Sequence, residues 1–372
     1  MRFLINCSNL KRGGGLQVAD SICKYLPQIT QHQFVVVLSS QLEKTKQEMP
    51  ASSNVKVVTY DLPNNWQILL RGRDAFLDRL VKDEKVDAVL TIFGPSRWQP
   101  RCSHLCGFAR AQLLLKDSPY YQQISWKEKI KFKIWAYYFK KSSRAFYTEN
   151  AFISSMLPKL LGEDIRVYTV TNYYNQVFDN PAKWGKTYKL PYFDGTTILS
   201  VSTSAPHKNF AILKDVIAYL DKKYPEFNYR FVLTQKEEQL PFNTDGIKHH
   251  FVFLGQVDIS ECPYLYEQAD VMLLPTLMEC FSATYPEAMR MNVPIVTTDL
   301  PFAHSLCGDA ACYYESTNPK AAAEAIYQVS TDHEYARQLI EKGKQQLLTY
   351  DNYEQRAIKL IKILEELASI GK

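Results

Sequence analysis

Residues 275–289, PTLMECFSATYPEAM, decide the interpretation of this chain. The apolar run 271–274 just before them predicts a strand, and a helix is predicted to begin near Ser282 and to carry Glu287 in its first turns. Two carboxylates, Glu279 and Glu287, therefore flank a helix N-terminus at the carboxyl end of a strand. Backbone N–H groups there can hold a diphosphate, and carboxylates accept hydrogen bonds from hydroxyl groups, so the pattern indicates a sugar-nucleotide site. The alternative is a surface acid at Glu279 and a favourable first-turn charge at Glu287.

The sequence around this stretch alternates strands with helices. Apolar runs in the second half predict strands at 197–201, 229–233, 250–254, 271–274, 295–298 and 311–314. Helical spacing of apolar residues lies between most of these runs, at 211–224, 261–268 and 282–291. This alternation is typical of a doubly wound parallel sheet.

The first half repeats the alternation. Strands are predicted at 3–6, 33–38, 55–60, 86–93, 145–148 and 166–170, and helices at 15–26, 68–82, 126–143 and 151–160. A polar stretch with two prolines, 179–191, follows and is interpreted as the connection between domains. We therefore expect an α/β protein with one Rossmann-like domain at 1–175 and a second at 190–350.

Composition excludes several classes of protein. Apolar residues make up 46% and charged residues 22% of the 372 residues, as in ordinary globular domains. No run approaches about eighteen apolar residues, so no transmembrane helix is expected, and the short run at 1–6 predicts a strand rather than a signal peptide. Eight scattered cysteines without a Cys-x-x-Cys pair indicate reduced thiols in a cytosolic protein and no zinc site. No Asp-x-Asp pair occurs to ligate a metal.

The net charge of +5 is unevenly distributed. Residues 1–180 carry 25 Lys and Arg against 15 Asp and Glu, whereas the remainder carries 19 against 24. The basic aromatic segment 126–143 predicts either a packed helix whose lysines face water or a membrane-surface helix that meets anionic lipid. We expect no nucleic-acid partner, and a cytoplasmic location with or without peripheral contact with the inner face of the cytoplasmic membrane.

Two further loops carry candidate binding residues. The loop 11–15, KRGGG, precedes the first helix, and its glycines would let the backbone approach a phosphate or sugar closely. It lacks the third glycine of a dinucleotide fingerprint, which disfavours a nicotinamide-dependent enzyme, and a plain tight turn is the alternative. Lys208 follows the first strand of the second half, where an ammonium group can neutralise a diphosphate leaving group. The alternative is an exposed lysine at a helix start.

Residues 275–299, PTLMECFSATYPEAMRMNVPIVTTD, resemble the donor-site signature of retaining family 4 glycosyltransferases of the GT-B fold, also called glycosyl transferases group 1. That signature runs Pro-(Ser/Thr)-x-x-Glu-x-Phe, then Glu-Ala-Met, a turn of small residues, Pro and an apolar strand. The resemblance implies an α/β GT-B architecture of two Rossmann-like doubly wound domains that face a central cleft. It also implies that the tail 353–372 packs back on the N-terminal acceptor domain, while the C-terminal domain binds the nucleotide-sugar donor.

The same resemblance implies roles for individual residues. Glu279 and Lys208 would be catalytic, the first by orienting the donor sugar and the second by holding its phosphates. The implied donor-binding groups are the Glu287 carboxylate on the ribose, backbone N–H groups of Phe281 and Ser282 on the diphosphate, the glycines Gly14 and Gly15 with Gly13 beside it, and Gly255 at the base.

Two positions depart from the family pattern. Thr203 stands where members carry an arginine on the phosphates, so Lys208 would hold them with less help. Members also carry a histidine after the fourth strand that contacts the donor sugar, and His104 is the nearest candidate here. Its register is early, which favours a plain loop histidine.

The function implied by the resemblance is transfer of a hexose from a nucleotide-diphosphate sugar to a glycan or lipid-linked glycan acceptor, with retention at the anomeric carbon and without a metal or other cofactor. A front-face route is implied, in which the leaving phosphate helps to deprotonate the acceptor. Such enzymes commonly build bacterial surface polysaccharides. The alternative, prompted by the missing arginine and histidine, is a GT-B scaffold that binds a nucleotide sugar without turnover.

Overall fold

The computed structural model describes residues 1–11, 13–64 and 66–370. The chain divides into two compact units, and each is built around its own parallel sheet. Unit 1 comprises Met1–Leu114, Ile124–Asn172 and Asp351–Lys372, and unit 2 comprises Leu115–Gln123 and Tyr173–Tyr350. The predicted α/β class with two Rossmann-like domains is confirmed.

The sheet of unit 1 has seven strands in the order β3-β2-β1-β4-β5-β6-β7. They are β1 (Arg2–Cys7), β2 (Gln33–Leu38), β3 (Val55–Thr59), β4 (Ala88–Thr91), β5 (Ser103–Gly107), β6 (Ala145–Thr148) and β7 (Arg166–Thr169). In β2, Phe34 and Val36 enter one apolar cluster while Val35 and Val37 enter another. Both faces of the sheet are therefore covered, which explains the continuous apolar run.

The sheet of unit 2 has six strands in the order β10-β9-β8-β11-β12-β13. They are β8 (Thr196–Ser200), β9 (Tyr229–Leu233), β10 (Phe251–Phe253), β11 (Val271–Leu274), β12 (Ile295–Thr298) and β13 (Ala311–Tyr314). The bounds of β9, β11, β12 and β13 agree with the sequence prediction at both ends. Apart from Arg230 in β9, these short strands consist of apolar, aromatic or β-branched residues, a pattern that predicts strands well.

Helices connect the strands in both units. They are α1 (Gly14–Tyr25), α2 (Glu43–Glu48), α3 (Trp66–Arg71), α4 (Ala75–Asp83), α5 (Pro119–Gln123), α6 (Trp126–Ser142), α7 (Ala151–Leu161), α8 (Leu213–Lys223), α9 (Cys262–Tyr266), α10 (Thr284–Arg290), α11 (Pro301–Cys307), α12 (Pro319–Thr331), α13 (His333–Leu347) and α14 (Tyr353–Ile370). Over the described residues, none of these helices combines the length and apolarity needed to cross a bilayer.

Several elements differ from the sequence prediction. The helix predicted at 68–82 is two helices, α3 and α4, because Gly72 between them has a φ of +64° in the left-handed region. The structure also contains α2, β5, α5, α11, α12 and α13, which the prediction omits. In β5 the polar residues Ser103 and His104 interrupt the apolar pattern, which hides the strand in the sequence.

The polar stretch 179–191 lies within unit 2 rather than between the units. The Thr187 N–H donates to the Glu261 carboxylate at 3.0 Å, and the Leu190 N–H donates to Gln268 Oε1 at 2.8 Å. These side chains satisfy backbone groups that the stretch cannot pair with itself. The predicted position of the connection is thereby corrected: the chain leaves unit 1 after Asn172.

The C-terminal helix α14 belongs to the core of unit 1. Leu360 and Leu364 are fully buried in the same cluster as Phe3 and Ile5 of β1. The Arg356 side chain also donates to Ser21 Oγ of α1. The last helix of the chain therefore completes the unit that the first strand begins.

The strand order reverses once in each sheet. In unit 1, β1 pairs with both β2 and β4, and in unit 2, β8 pairs with both β9 and β11. Loops at the carboxyl ends of the two strands that flank such a reversal diverge and leave a crevice, which is where open α/β sheets bind ligands. The loops after β8 and β11 of unit 2, and the loop after β1 of unit 1, occupy these positions.

Candidate functional site

The loops after β8 and β11 bring Lys208 and Glu279 together. Lys208 Nζ lies 2.5 Å from Glu279 Oε1, and Thr276 Oγ1 donates to the same oxygen at 2.9 Å. The two charged side chains are only 12% and 11% exposed. A charge pair so far removed from water depends on its partners, because either group alone would carry a large desolvation cost. The predicted pair of site residues is thus one ion pair.

Hydrogen bonds to backbone carbonyl groups hold the two loops in place. The Leu277 N–H donates to the His207 carbonyl at 2.8 Å, and Thr298 Oγ1 at the end of β12 donates to the Thr276 carbonyl at 2.7 Å. Lys208 ends a short 3₁₀ turn, Pro206–Lys208, and the next residue, Asn209, has a left-handed φ of 55°. Asparagine tolerates that conformation better than most residues do. The ion pair therefore rests on fixed backbone.

His207 is the neighbour of Lys208 on this turn. Burial lowers the pKa of His207, the positive charge of Lys208 acts in the same direction, and the Glu279 carboxylate opposes both. The imidazole is therefore neutral at physiological pH. Lys208 is the cation that the turn presents.

Glu287 lies on α10 behind the ion pair and is 4% exposed. Tyr266 of α9 donates its hydroxyl to Glu287 Oε2 at 3.1 Å. Burial raises the pKa of Glu287 to about 7, although the Tyr266 hydrogen bond opposes the rise. The carboxyl group therefore changes charge near physiological pH. Helix α10 begins at Thr284, two residues later than predicted.

We expect Glu287→Gln to change the pH dependence of stability. Because the pKa of Glu287 is about 7 in the folded protein, above the ordinary value of 4.5, the folded chain binds the extra proton between these values. Wild-type stability therefore falls by up to about 3 kcal/mol as pH rises through that window, and Glu287→Gln lacks this loss. Urea unfolding of both proteins at about pH 5 and about pH 8 measures this loss of stability. Buried Glu149 is present in both proteins, so its own titration does not affect the comparison. An equal stability difference at both pH values would contradict the assignment.

Phe281 and Ser282 lie between the two glutamates. Ser282 Oγ donates to Thr284 Oγ1 at 3.2 Å, and Thr284 Oγ1 lies 3.2 Å from the Val201 carbonyl after β8. The Phe281 ring meets Tyr350 edge-on at 6.1 Å between centroids. The Phe281 and Ser282 side chains thus make contacts within the fold. The predicted role on a diphosphate is assigned to the backbone N–H groups of this segment.

Gly255 and Thr203 lie at the same edge of the unit 2 sheet. Gly255 follows β10 with a φ of +71°, and a Cβ built there would lie 3.7 Å from Lys236 Cγ. Thr203 is an exposed residue of the loop after β8. Its side chain is neutral, so the cation that the family carries at this position has no counterpart here.

The glycine loop lies in unit 1, after β1. Gly13 has a left-handed φ of +79°, and a Cβ at Gly15 would lie 3.3 Å from Phe93 Cδ2. No atom of the described residues lies within 4 Å of a Cβ built at Gly14. The loop therefore needs glycine for its conformation and its packing, and it stands at the strand-order reversal of unit 1. Arg12 of this loop falls outside the described residues.

His104 is a core residue, which corrects its assignment to a loop. It lies on β5 and is buried, with Nε2 2.9 Å from Thr91 Oγ1 and Nδ1 2.6 Å from the Ser142 carbonyl. Burial lowers the pKa of His104 to about 4. Both ring nitrogens are engaged inside unit 1, so we remove His104 from the candidate site.

Three residues that support the site were not identified from the sequence. Thr276 and Tyr266 hold the two glutamates, and His207 carries the carbonyl that joins the loops. Thr276 belongs to the quoted signature and could have been assigned from it. Tyr266 lies 21 positions from Glu287, and no local pattern signals such a contact.

The described residues contain no group of three His, Cys, Asp or Glu side chains that could hold a metal ion. The eight cysteines form no disulfide, and seven of them are buried. Lys208 is the cation in contact with Glu279.

The chain is similar to known glycosyltransferases. Residues 190–346 match the family model described as glycosyl transferases group 1. The chain is 25% identical over 247 residues to the O-antigen chain mannosyltransferase of Salmonella typhimurium, an alignment that covers 64% of this chain and 66% of the relative. It is 24% identical over 181 residues to a phosphatidyl-myo-inositol mannosyltransferase of Mycobacterium leprae, covering 48% of each. The chain thus spans just under two thirds of the first relative and about half of the second.

The fold is similar to that of the Anabaena protein HepE, solved in complex with UDP and glucose. The TM-score is 0.68 at 13% identity, over 98% of this chain and 99% of that chain. The chain thus has the GT-B fold, with two units that are each built on a parallel sheet. The match of residues 190–346 to the glycosyl transferases group 1 model confirms the resemblance seen in residues 275–299.

Proposed function

We propose that this protein is a retaining glycosyltransferase that moves a hexose from a nucleoside-diphosphate sugar to a glycan or lipid-linked glycan. The observation that carries the proposal is the buried Lys208–Glu279 ion pair at the strand-order reversal of unit 2. The family match over residues 190–346 supports turnover over mere binding.

In the proposed mechanism, Lys208 stabilises the charge that develops on the leaving diphosphate. Backbone N–H groups of Phe281 and Ser282 assist. An ammonium group in a poorly hydrated site stabilises such charge more strongly than it would in water. We propose that the site works without a metal ion, because Lys208 supplies the countercharge.

Glu279 orients the donor sugar in this mechanism. Its contacts with Lys208 and Thr276 both involve Oε1, so we assign Oε2 to a sugar hydroxyl. A carboxylate so paired is a poor nucleophile, and we therefore favour the front-face route in which the leaving phosphate deprotonates the acceptor. Glu287 accepts a hydrogen bond from the ribose, and Gly255 lets the backbone approach the base.

We further propose that the transferred sugar is mannose or a related hexose and that the product enters a surface polysaccharide. The two relatives are named mannosyltransferases, one acting on O-antigen chains and one on phosphatidyl-myo-inositol. The HepE complex with UDP and glucose makes UDP-sugars the second donor class to test.

A nucleotide-release assay tests the proposal. Purified protein is incubated with GDP-mannose, UDP-glucose and other nucleotide sugars, with and without a mixture of bacterial glycolipid acceptors, and in EDTA throughout. We expect release of nucleoside diphosphate that rises with acceptor and that falls by a factor of about 100 in Lys208→Met. Tight binding of a nucleotide sugar without any release would instead establish the binding scaffold.

We also propose that α6 brings the protein to an anionic membrane surface, where a lipid-linked acceptor is found. Phe139 and Ser142 of α6 are buried in unit 1. A row of four large apolar side chains lies on the opposite side of α6, spaced four, four and three positions apart. These side chains are 48 to 68% exposed: Trp126, Ile130, Ile134 and Tyr137. Such spacing places the four on one helical face.

Lysines flank this apolar row on both sides. Successive residues of a helix are about 100° apart around its axis. Three lysines therefore lie on one side of the row, Lys129, Lys133 and Lys140, and three lie on the other, Lys127, Lys131 and Lys141. Exposed apolar side chains bordered by lysines fit the boundary between headgroups and acyl chains, where each lysine contributes about 1 kcal/mol. We therefore propose that both alternatives from the sequence apply, on opposite faces of one helix.

Vesicle flotation tests the membrane proposal. We expect the protein to float with phosphatidylglycerol-containing vesicles at low salt, and Ile130→Ser/Ile134→Ser to reduce binding about tenfold, because two half-exposed side chains lose their transfer into lipid. Leu348→Ser, at a position 78% exposed in unit 2, is the matched control and should bind as the wild type does. Absence of salt-sensitive flotation of the wild type would rule the surface out.

A further inference from the structure

A nine-residue arm, Leu115–Gln123, packs with unit 2 although the chain on either side of it belongs to unit 1. It consists of a turn followed by the short helix α5. Leu115 and Ser118 are buried. The arm comes from the first half of the sequence, far from the donor signature, and no motif marks it.

Two contacts of the arm fall on the loops that carry the ion pair. Ser118 Oγ donates to the Leu277 carbonyl at 2.6 Å, in the loop of Glu279. The Tyr120 ring packs against His207, the neighbour of Lys208, at 5.8 Å between centroids. One short segment thus touches both loops of the proposed donor site.

Ser118 is held in place for this contact. Its hydroxyl oxygen accepts the Tyr120 N–H at 3.2 Å, at the start of α5, while its proton goes to Leu277. Leu277 in turn donates its N–H to His207. The hydrogen bonds therefore form a chain, from the arm to the Glu279 loop and from there to the Lys208 turn.

We propose that the arm is a clasp that positions the catalytic pair, with Ser118 as its positioning residue. Ser118 touches neither Glu279 nor Lys208, and it acts by fixing the carbonyl two residues before Glu279. Small displacements of catalytic groups cost large factors in rate, so this anchor should affect kcat more than donor binding. The inference deepens the proposed function and rests on it for the rate effect.

Hydrogen exchange tests the clasp independently of activity. We expect Ser118→Ala to speed amide exchange at least severalfold in peptides covering 276–282 and 206–209, because both loops lose their shared anchor. Ser200→Ala is the matched control: it removes a buried 2.7 Å hydrogen bond from Ser200 Oγ to the Leu273 carbonyl, which lies within the sheet. Unchanged exchange of both peptides in Ser118→Ala would overturn the clasp.

Kinetics test whether the clasp acts through Glu279. We expect Ser118→Ala to lower kcat about tenfold with donor KM little changed, and Ser118→Thr, which keeps the hydroxyl, to restore most of it. In a Glu279→Gln background, Ser118→Ala should lower kcat little further, because the carboxylate that Ser118 positions is gone. Equal losses in both backgrounds would overturn the positioning role. If the wild type turns over no nucleotide sugar, the proposed function fails, and the exchange result still decides the clasp.

Discussion

Glu279→Gln is expected to lower kcat for sugar transfer by a factor of about 100 or more, with the fold intact. The amide keeps the size of the side chain and can still meet Thr276, but it removes the charge that pairs with Lys208 and that strengthens the hydrogen bond to a sugar hydroxyl. Steady-state kinetics of nucleotide release, with circular dichroism as a check on folding, measure the effect.

A matched control is available in unit 2. Glu237 pairs with Lys248 at 2.6 Å, but on the surface, and Glu237→Gln should leave kcat unchanged. Full transfer activity in Glu279→Gln would contradict the role given to Glu279. A variant that fails to fold is replaced by Glu279→Asp, which keeps the charge and shortens its reach.

Lys208→Met should lower kcat by a similar factor and should also weaken binding of nucleoside diphosphate. The methionine fills the space of the lysine stem but carries no charge, so the leaving phosphates lose their cation. Thr203 supplies no charge in its place, which makes the loss larger than in family members that keep the arginine. Kinetics and calorimetric binding of the free diphosphate measure both effects.

A double substitution tests whether Lys208 and Glu279 act as one ion pair or as two independent groups. Because Lys208 and Glu279 are in direct contact, Lys208→Met combined with Glu279→Gln should lose less activity than the product of the two single losses. The Lys248→Met variant is the control for removal of a surface lysine. Strictly multiplicative losses would argue against a functional pair.

The local structure around Glu279 and Glu287 was predictable because it lies in one continuous stretch. The strand β11, the loop with Glu279 and the helix with Glu287 follow each other in 271–290, and each has a strong local pattern. Lys208 was predictable because loops after neighbouring parallel strands meet at one edge of the sheet. The resemblance to a known family added the roles, which spacing alone left open.

What escaped prediction depends on contacts between distant residues. His104 looked like a loop residue because a polar side chain broke the apolar run, whereas hydrogen bonds to Thr91 and Ser142 bury it in a strand. Ser118 contacts a carbonyl 159 positions away. Helix α6 carries apolar residues on two opposite faces, so its periodicity is weak although each face is well defined in the folded protein.

We propose that Lys208 holds the diphosphate while Glu279 holds the sugar of one donor. Calorimetric titration tests it most directly, with free nucleoside diphosphate and the matching nucleotide sugar on wild type, Lys208→Met and Glu279→Gln. We expect Lys208→Met to weaken binding of both ligands about tenfold or more, and Glu279→Gln to weaken only the nucleotide sugar by about that factor. Equal affinities of all three proteins for both ligands would contradict the claim.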